Sequence, residues 1–294
     1  MPQHVLVPID GSDYGFAALE YSLTSFPDAS VTALYVVDIT HDHTATVGST
    51  ESPTDRAEEH GENVLDRAVD RAADHEYDRE LQTFLRTGTP HAEILSVVTE
   101  HDVDHVVLGS HSETSLTHPF LGRVSEAIVR RAPVSTTVVP EPSAAVRERD
   151  LPGKILVPVD GSEQAEGALA YALEAFPNGT HTVLNVVSLP FDRSHEAVEG
   201  TYLEELVETL EGRAEEILDS AKSVADDSGS TIETATVAGK PAAGIVDFAE
   251  ENGYDQIVMG SHGRSLAARL ITGSVAEQVV RRSPRTVTLV RGSP

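Results

Sequence analysis

The amino-acid sequence repeats itself at an interval of about 150 residues. His4-Val-Leu-Val-Pro-Ile-Asp10-Gly-Ser12 returns as Lys154-Ile-Leu-Val-Pro-Val-Asp160-Gly-Ser162, and Phe26-Pro27 returns as Phe176-Pro177. Gly88-Thr-Pro90 returns as Gly239-Lys-Pro241, and Val106-Val-Leu-Gly-Ser-His111 as Ile257-Val-Met-Gly-Ser-His262. So long an interval means duplication of a whole domain, not a solenoid of short units. The 294 residues leave each copy room for a core of its own. The expected organisation is a first domain over residues 1–140, a linker over 141–153 and a second domain over 154–294. The linker reading follows from breaking prolines, several charges and little periodicity.

Each half alternates strand and helix. In the first half, apolar runs at 5–9, 31–37, 81–85, 106–108 and 134–139 read as strands, and the segments 14–25, 55–75, 90–100 and 125–131 as helices. The second half matches, with strands at 155–159, 181–187, 232–237, 257–259 and 286–290 and helices at 165–175, 202–227, 241–252 and 274–282. Near-continuous apolar strands between helices imply parallel sheets covered on both faces. With right-handed crossovers, each half becomes a doubly wound, Rossmann-like α/β domain of about five strands. Ligands of such folds sit at the carboxyl ends of the strands where strand order reverses, here beside the first and fourth strands.

One loop lies at that place in the second half, Gly260-Ser-His-Gly-Arg-Ser-Leu-Ala-Ala-Arg-Leu-Ile-Thr-Gly-Ser-Val275. It joins an expected buried strand to an expected helix. Unpaired amides at a helix start point at an anion, and the helix dipole favours negative charge there. Glycines permit positive φ and close approach of the backbone to a phosphate. Ser274, at the helix start, can serve as N-cap or as a hydroxyl donor to phosphate. By residue type alone, the loop suits a phosphate cradle and ordinary turn chemistry equally. Asp160 likewise has two readings: a carboxylate at a strand end that accepts ribose hydroxyls, or part of an Asp-Gly-Ser turn and helix cap.

The spacing Gly260-x2-Gly263-x9-Gly273-Ser274 resembles the nucleotide-binding signature of the universal stress protein family, in its ATP-binding branch, and the likeness covers both halves nearly end to end. The resemblance implies an adenine nucleotide alpha hydrolase-like fold and an ATP site in the second half. It implies that Asp160 faces the adenosine and that Val186 offers backbone to the adenine, with Pro158 and Val159 close by. Met259 would pack beside the nucleoside and Gly260 approach the ribose, while Gly263, Arg264, Gly273, Ser274 and Val275 would surround the phosphates. Magnesium or manganese bridging the phosphates is expected with the nucleotide. Family members pair through their last strands. The resemblance therefore implies pairing of 134–139 with 286–290 in an internal pseudo-dimer that can dimerise again.

The first half departs from this pattern. Its loop reads Gly109-Ser-His-Ser112, then nine residues, then Gly122-Arg123. A serine at a position needing positive φ costs about 1–2 kcal/mol relative to glycine. Arg123 removes a small hydroxyl donor and adds a long side chain, which crowds the cradle more readily than it rescues it. Asp10, Val36, Gly109, Gly122 and Arg123 therefore mark a degenerate site. One competent ATP site per chain is expected, in the second half.

The net charge is −27, with 48 acidic residues against three lysines, Lys154, Lys222 and Lys240. Such a surface repels nucleic acid and anionic membrane, so neither is an expected partner. The acids are spread over every expected helix, a pattern suited to concentrated salt, where screening shortens self-repulsion. The expectation of a halophilic protein is that unfolding free energy rises with potassium chloride; a flat or falling dependence would contradict it. No apolar run reaches membrane-span length, and the first residues lack a basic segment followed by an apolar one, so a cytoplasmic location is expected. The chain has no cysteine, which removes disulfides and thiolate chemistry.

Other polar groups have plainer readings. His41-Asp-His43, with His60 further on, lacks the fixed spacing of a four-ligand metal site and reads as a solvated loop. His111 and His262 sit in the cradle loops, where packing suits them as well as ligand contact does. Arg281 and Arg282 in a helix's last turn suit the dipole. Acidic pairs such as Glu204-Glu205 and Glu215-Glu216 read as solvated faces that can also dock a basic partner, whose identity the residues do not reveal. No nucleophile elbow, lysine-bearing P-loop or kinase signature occurs. The expectation is a nucleotide-dependent regulator with at most weak ATPase activity. The alternatives are an interaction scaffold without nucleotide and a slow ATP-cleaving enzyme.

Overall fold

A computed structural model describes residues 1–38, 53–75, 77, 79–110, 121–188, 201–261 and 273–292. The chain divides into two compact units, Met1–Leu151 and Pro152–Pro294. In chain order the first unit contains β1 (His4–Pro8), α1 (Asp13–Ser25), β2 (Ser30–Val37), α2 (Pro53–Asp74) and β3 (Gln82–Thr87). It continues with α3 (Pro90–Glu100), β4 (His105–Gly109), α4 (Arg123–Arg131), β5 (Ser135–Val139) and α5 (Ser143–Arg147). The second contains β6 (Lys154–Pro158), α6 (Glu163–Ala175), β7 (Thr180–Val187), α7 (Thr201–Asp227) and β8 (Ile232–Ala238). It ends with α8 (Pro241–Glu251), β9 (Gln256–Gly260), α9 (Ser274–Arg282) and β10 (Thr286–Val290).

Strand order in the first unit is β3-β2-β1-β4-β5, and in the second β10-β9-β6-β7-β8. The pairings within each unit are parallel. The doubly wound α/β domain expected from strand–helix alternation is thus what each half forms. Val5 stands opposite Val31 on one side and His105 on the other, so strand order reverses between β1 and β4. The same reversal lies between β6 and β9.

The cores follow from side-chain alternation on buried strands. Leu6, Leu34, Val106 and Leu108 meet Ile94, Val97 and Val98 of α3 and Ile128 of α4 in one apolar cluster. Their strand neighbours Val5, Val7 and Val107 are equally buried and point to the other face. There α1 lies against β1 and β4, and α2 against β2 and β3. Among the described residues no helix is long and apolar enough to cross a membrane.

The segment 141–153, expected as a linker, contains the helix α5, which packs against α1. A buried carboxylate explains the docking. Glu20 of α1 is 0 % exposed. It accepts from Arg71 at 2.6 Å, from the Ser143 hydroxyl at 2.5 Å, and from Arg147. The Arg71 guanidinium also lies 4.1 Å from the Phe16 ring centre, a cation–π contact. At the matching position of the second unit stands Ala170, which is exposed. The ionic anchor belongs to the first unit alone.

His105 is another polar group that burial governs. It is fully buried at the start of β4, shares a hydrogen bond of 2.8 Å with the Thr137 hydroxyl, and packs against Phe26 with tilted rings whose centres are 5.1 Å apart. Burial pushes its imidazolium pKa down to about 3. The unfolded chain protonates near the ordinary value of about 6.5 while the folded one stays neutral. The unfolded state then binds more protons between pH about 6.5 and about 3, so stability falls as pH drops through that window. The matching residue in the second unit, Gln256, is equally buried and cannot titrate there. In His105→Gln, the loss of stability on acidification should be smaller by up to about 1.4 kcal/mol per pH unit. Urea unfolding at pH 7, 6 and 5 measures this; identical pH slopes for the two proteins would refute it.

Candidate nucleotide site

In the second unit a cavity of about 300 Å³ opens at the carboxyl ends of β6 and β9. Pro158, Val159 and Asp160 line it from the end of β6, Val186 from β7, and Met259 and Gly260 from the end of β9. Gly273, Ser274 and Val275 line it from the start of α9. The switch point between β6 and β9 therefore gathers these expected residues around one space. Gly263, Arg264 and His262 lie outside the described residues.

Leu184, Pro241 and Ile245 also line the cavity and were not foreseen. A signal for Pro241 existed: the Gly-x-Pro repeat recurs in both halves, with proline at the first position of α8. Periodicity alone could not say that α8 packs against β7 beside this cavity, because that follows from strand order.

The start of α9 decides what the cavity can hold. Its N-cap is Gly273, at φ −62 and ψ 149, and no side chain caps it. Ser274 is the first helical residue, so its hydroxyl is not the cap, one of the two roles open to it. The helix-start amides at Ser274, Val275 and Ala276 front the cavity without a side-chain acceptor among the described residues. By contrast, α6 is capped by Ser162, whose hydroxyl accepts from the Ala165 amide at 3.2 Å. One helix start is closed by its own side chain; the other is open toward the cavity.

The glycines have other reasons than positive φ. Neither Gly260 nor Gly273 adopts it. A Cβ on Gly260 would stand 2.9 Å from the Gln164 carbonyl oxygen, so glycine here lets the α6 backbone close on β9. Gly109 does the same in the first unit, where a Cβ would meet the Tyr14 carbonyl oxygen at 2.5 Å. Positive φ belongs instead to Gly161, at +76°, in the Asp-Gly-Ser turn. In that turn Asp160 accepts from the Ser162 amide at 3.0 Å and also lines the cavity, so the two readings of Asp160 are compatible.

The first unit has a counterpart of about 590 Å³. Asp10, Val36, Gly109, Gly122 and Arg123 all line it. Gly122 is the N-cap of α4, again without a side-chain cap, and Arg123 is the first helical residue. His111 and Ser112 lie outside the described residues, as do His41 and His43. His60 meets the Tyr35 ring edge-on at 6.0 Å. Among the described residues no group of three or more His, Asp or Glu side chains is placed to hold a metal ion.

The family model for the universal stress proteins matches residues 1–140 and again 152–291. The chain belongs to the universal stress protein family. Universal stress protein MJ0531 of Methanocaldococcus jannaschii is 33% identical over 146 residues, which is 47% of this chain and 81% of that protein. Universal stress protein MJ0577 of the same organism is 31% identical over 156 residues, 47% of this chain and 94% of that protein. Each relative thus corresponds to about one of the two units. A crystal structure of a universal stress protein from Archaeoglobus fulgidus superposes with a TM-score of 0.65 at 22% identity, over 98% of this chain and 96% of that one. At that identity the likeness concerns the fold. The two matched segments make this a tandem universal stress protein.

Proposed function

We propose that this tandem universal stress protein is a nucleotide-dependent stress-response regulator that binds one ATP, in the cavity of its second unit. The observation that carries the reading is the uncapped start of α9, whose amides front a cavity with apolar walls. Apolar walls suit a purine, and free helix-start amides suit phosphate. The intact Gly260-x2-Gly263-x9-Gly273-Ser274 spacing, which resembles the signature of the family's ATP-binding branch, supports the same reading. In it Val159, Val186 and Met259 hold the adenosine, and Asp160 accepts from the ribose. Gly273, Ser274 and Val275 hold the phosphates, together with Gly263 and Arg264.

Asp160 is the one carboxylate among the described residues lining this cavity, and no histidine, lysine or arginine accompanies it there. A magnesium or manganese ion would therefore be held mainly by the phosphates and water. Calorimetric titration of the full chain with magnesium ATP should give one site per chain. Absence of binding would end the reading, and two equal sites would show that the first unit is no degenerate copy.

A further inference from the structure

We propose that Ser162 is a specificity-determining residue of the second cavity: its hydroxyl donates to a ribose hydroxyl and so selects ribonucleotides over deoxyribonucleotides. The inference rests on that cavity being the ATP site. Ser162 is 7 % exposed and lines the cavity together with Asp160. Its oxygen accepts from the Ala165 amide at 3.2 Å, the bond that caps α6. Accepting that bond leaves the hydroxyl proton unused, and among the described residues it is donated to no acceptor. A buried hydroxyl left in this state costs stability until a ligand or a water takes its proton.

The matching serine of the first unit is committed elsewhere. Ser12 caps α1 in the same way, accepting from the Gly15 amide at 3.1 Å, but its hydroxyl donates to the Asp10 carboxylate. Ser12 does not line the first cavity. One residue accounts for the difference. A Cβ on Gly15 would stand 2.9 Å from Asp10 Oδ1, too close for the two atoms to keep their places. The second unit carries that Cβ, on Ala165, which also lines the cavity. Both aspartates accept from the amide of their serine at 3.0 Å, yet the Ala165 methyl keeps Asp160 from lying as Asp10 lies. The first unit closes its carboxylate and hydroxyl on each other. The second presents both to one cavity.

That pair suits one chemical group. A sugar hydroxyl donates and accepts at once, whereas an ionised carboxylate only accepts. The Ser162 hydroxyl, its acceptor role taken by the Ala165 amide, is left to donate. Side by side, the two side chains meet both needs of a single ribose hydroxyl. A deoxy carbon in its place meets neither and strands a buried donor, the situation in which a site rejects an analogue most strongly.

Magnesium ATP and its 2′-deoxy and 3′-deoxy analogues are titrated calorimetrically into the full chain. At least one analogue should bind about tenfold more weakly than ATP. Ser162→Gly removes the hydroxyl while glycine still serves at the start of α6. It should lower ATP affinity about threefold or more without lowering that analogue's, a split that mere loosening of α6 would not produce. Ala165→Gly installs the first unit's residue and lets the Ser162 hydroxyl turn to Asp160. It should shrink the same ratio with cap and hydroxyl both retained, and it carries the decision should circular dichroism show Ser162→Gly unfolded. The proposal is overturned if both analogues bind as tightly as ATP, or if the ratio is unchanged in folded Ser162→Gly. A ratio unchanged in Ala165→Gly alone removes Ala165 from it. Failure of magnesium ATP to bind the unaltered chain would end the reading of the cavity itself, a result distinct from ATP binding without discrimination.

Discussion

Gly273→Val should lower magnesium ATP affinity about a hundredfold, with the second unit still folded. The fold should survive because Gly273 sits at φ −62 and ψ 149, extended backbone that valine adopts without strain. Its amide donates to the Ser261 carbonyl at 2.7 Å, and its carbonyl accepts from the Glu277 amide at 2.9 Å; both bonds are backbone and persist in the variant. The expected loss comes from placing a branched side chain at the cavity wall next to the amides of Ser274 and Val275, where the phosphates are proposed to sit. Two charge-assisted bonds lost at about 1.5 kcal/mol each give roughly a hundredfold. Calorimetry reads the affinity, and circular dichroism checks the fold. Undiminished affinity would mean that the start of α9 is not where the phosphates sit.

Replacing both Arg71 and Arg147 by methionine should destabilise the first unit by about 3 kcal/mol, because it strands a buried carboxylate. Glu20 is 0 % exposed, and these two guanidinium groups are its charged partners among the described residues. Each arginine is partly exposed and can turn to water when Glu20 is removed; the carboxylate has no such escape. The cost is therefore asymmetric. In a Glu20→Ala background the same two replacements should cost less than about 1 kcal/mol. Alanine is what the second unit carries at this position, Ala170. Urea unfolding of the four proteins closes the cycle. Equal losses in both backgrounds would show that the arginines act through their packing, such as that of Arg71 on Phe16, not through the buried charge.

The elements were legible because their signals are local. The run 286–290 is apolar and β-branched and becomes β10; Pro90 opens α3 and Pro241 opens α8 at the expected residues. The helix α5 was not legible. Five residues carry too little periodicity, and what fixes them is Glu20, far away in sequence, whose Oε2 accepts from the Ser143 hydroxyl. Glu20 within an apolar helix was the one available hint.

The candidate site divides in the same way. Gly260, Gly273 and Ser274 were singled out by spacing, since a strand, a loop and a helix start are contiguous in the chain, and Asp160 by the family resemblance; all four line one cavity. The reason for the glycines was not readable. Gly260 is needed because α6 crosses it closely, a contact with Gln164 from another element. His91 and Arg131 also escaped notice, because nothing near them in sequence shows that they line a cavity with Asp10.

The sequence by itself determined that there are two copies of one strand–helix alternation, that each is a parallel α/β domain, and that only the second keeps the full glycine spacing. Those properties follow from nearest-neighbour chemistry: period, turn residues and helix caps. Only the tertiary structure decided that α9 begins uncapped at a cavity, that Glu20 anchors α5, and that the first cavity exchanges a serine for an arginine, a histidine and a second carboxylate. Each depends on groups brought together by strand order and burial, which no stretch of chain encodes alone.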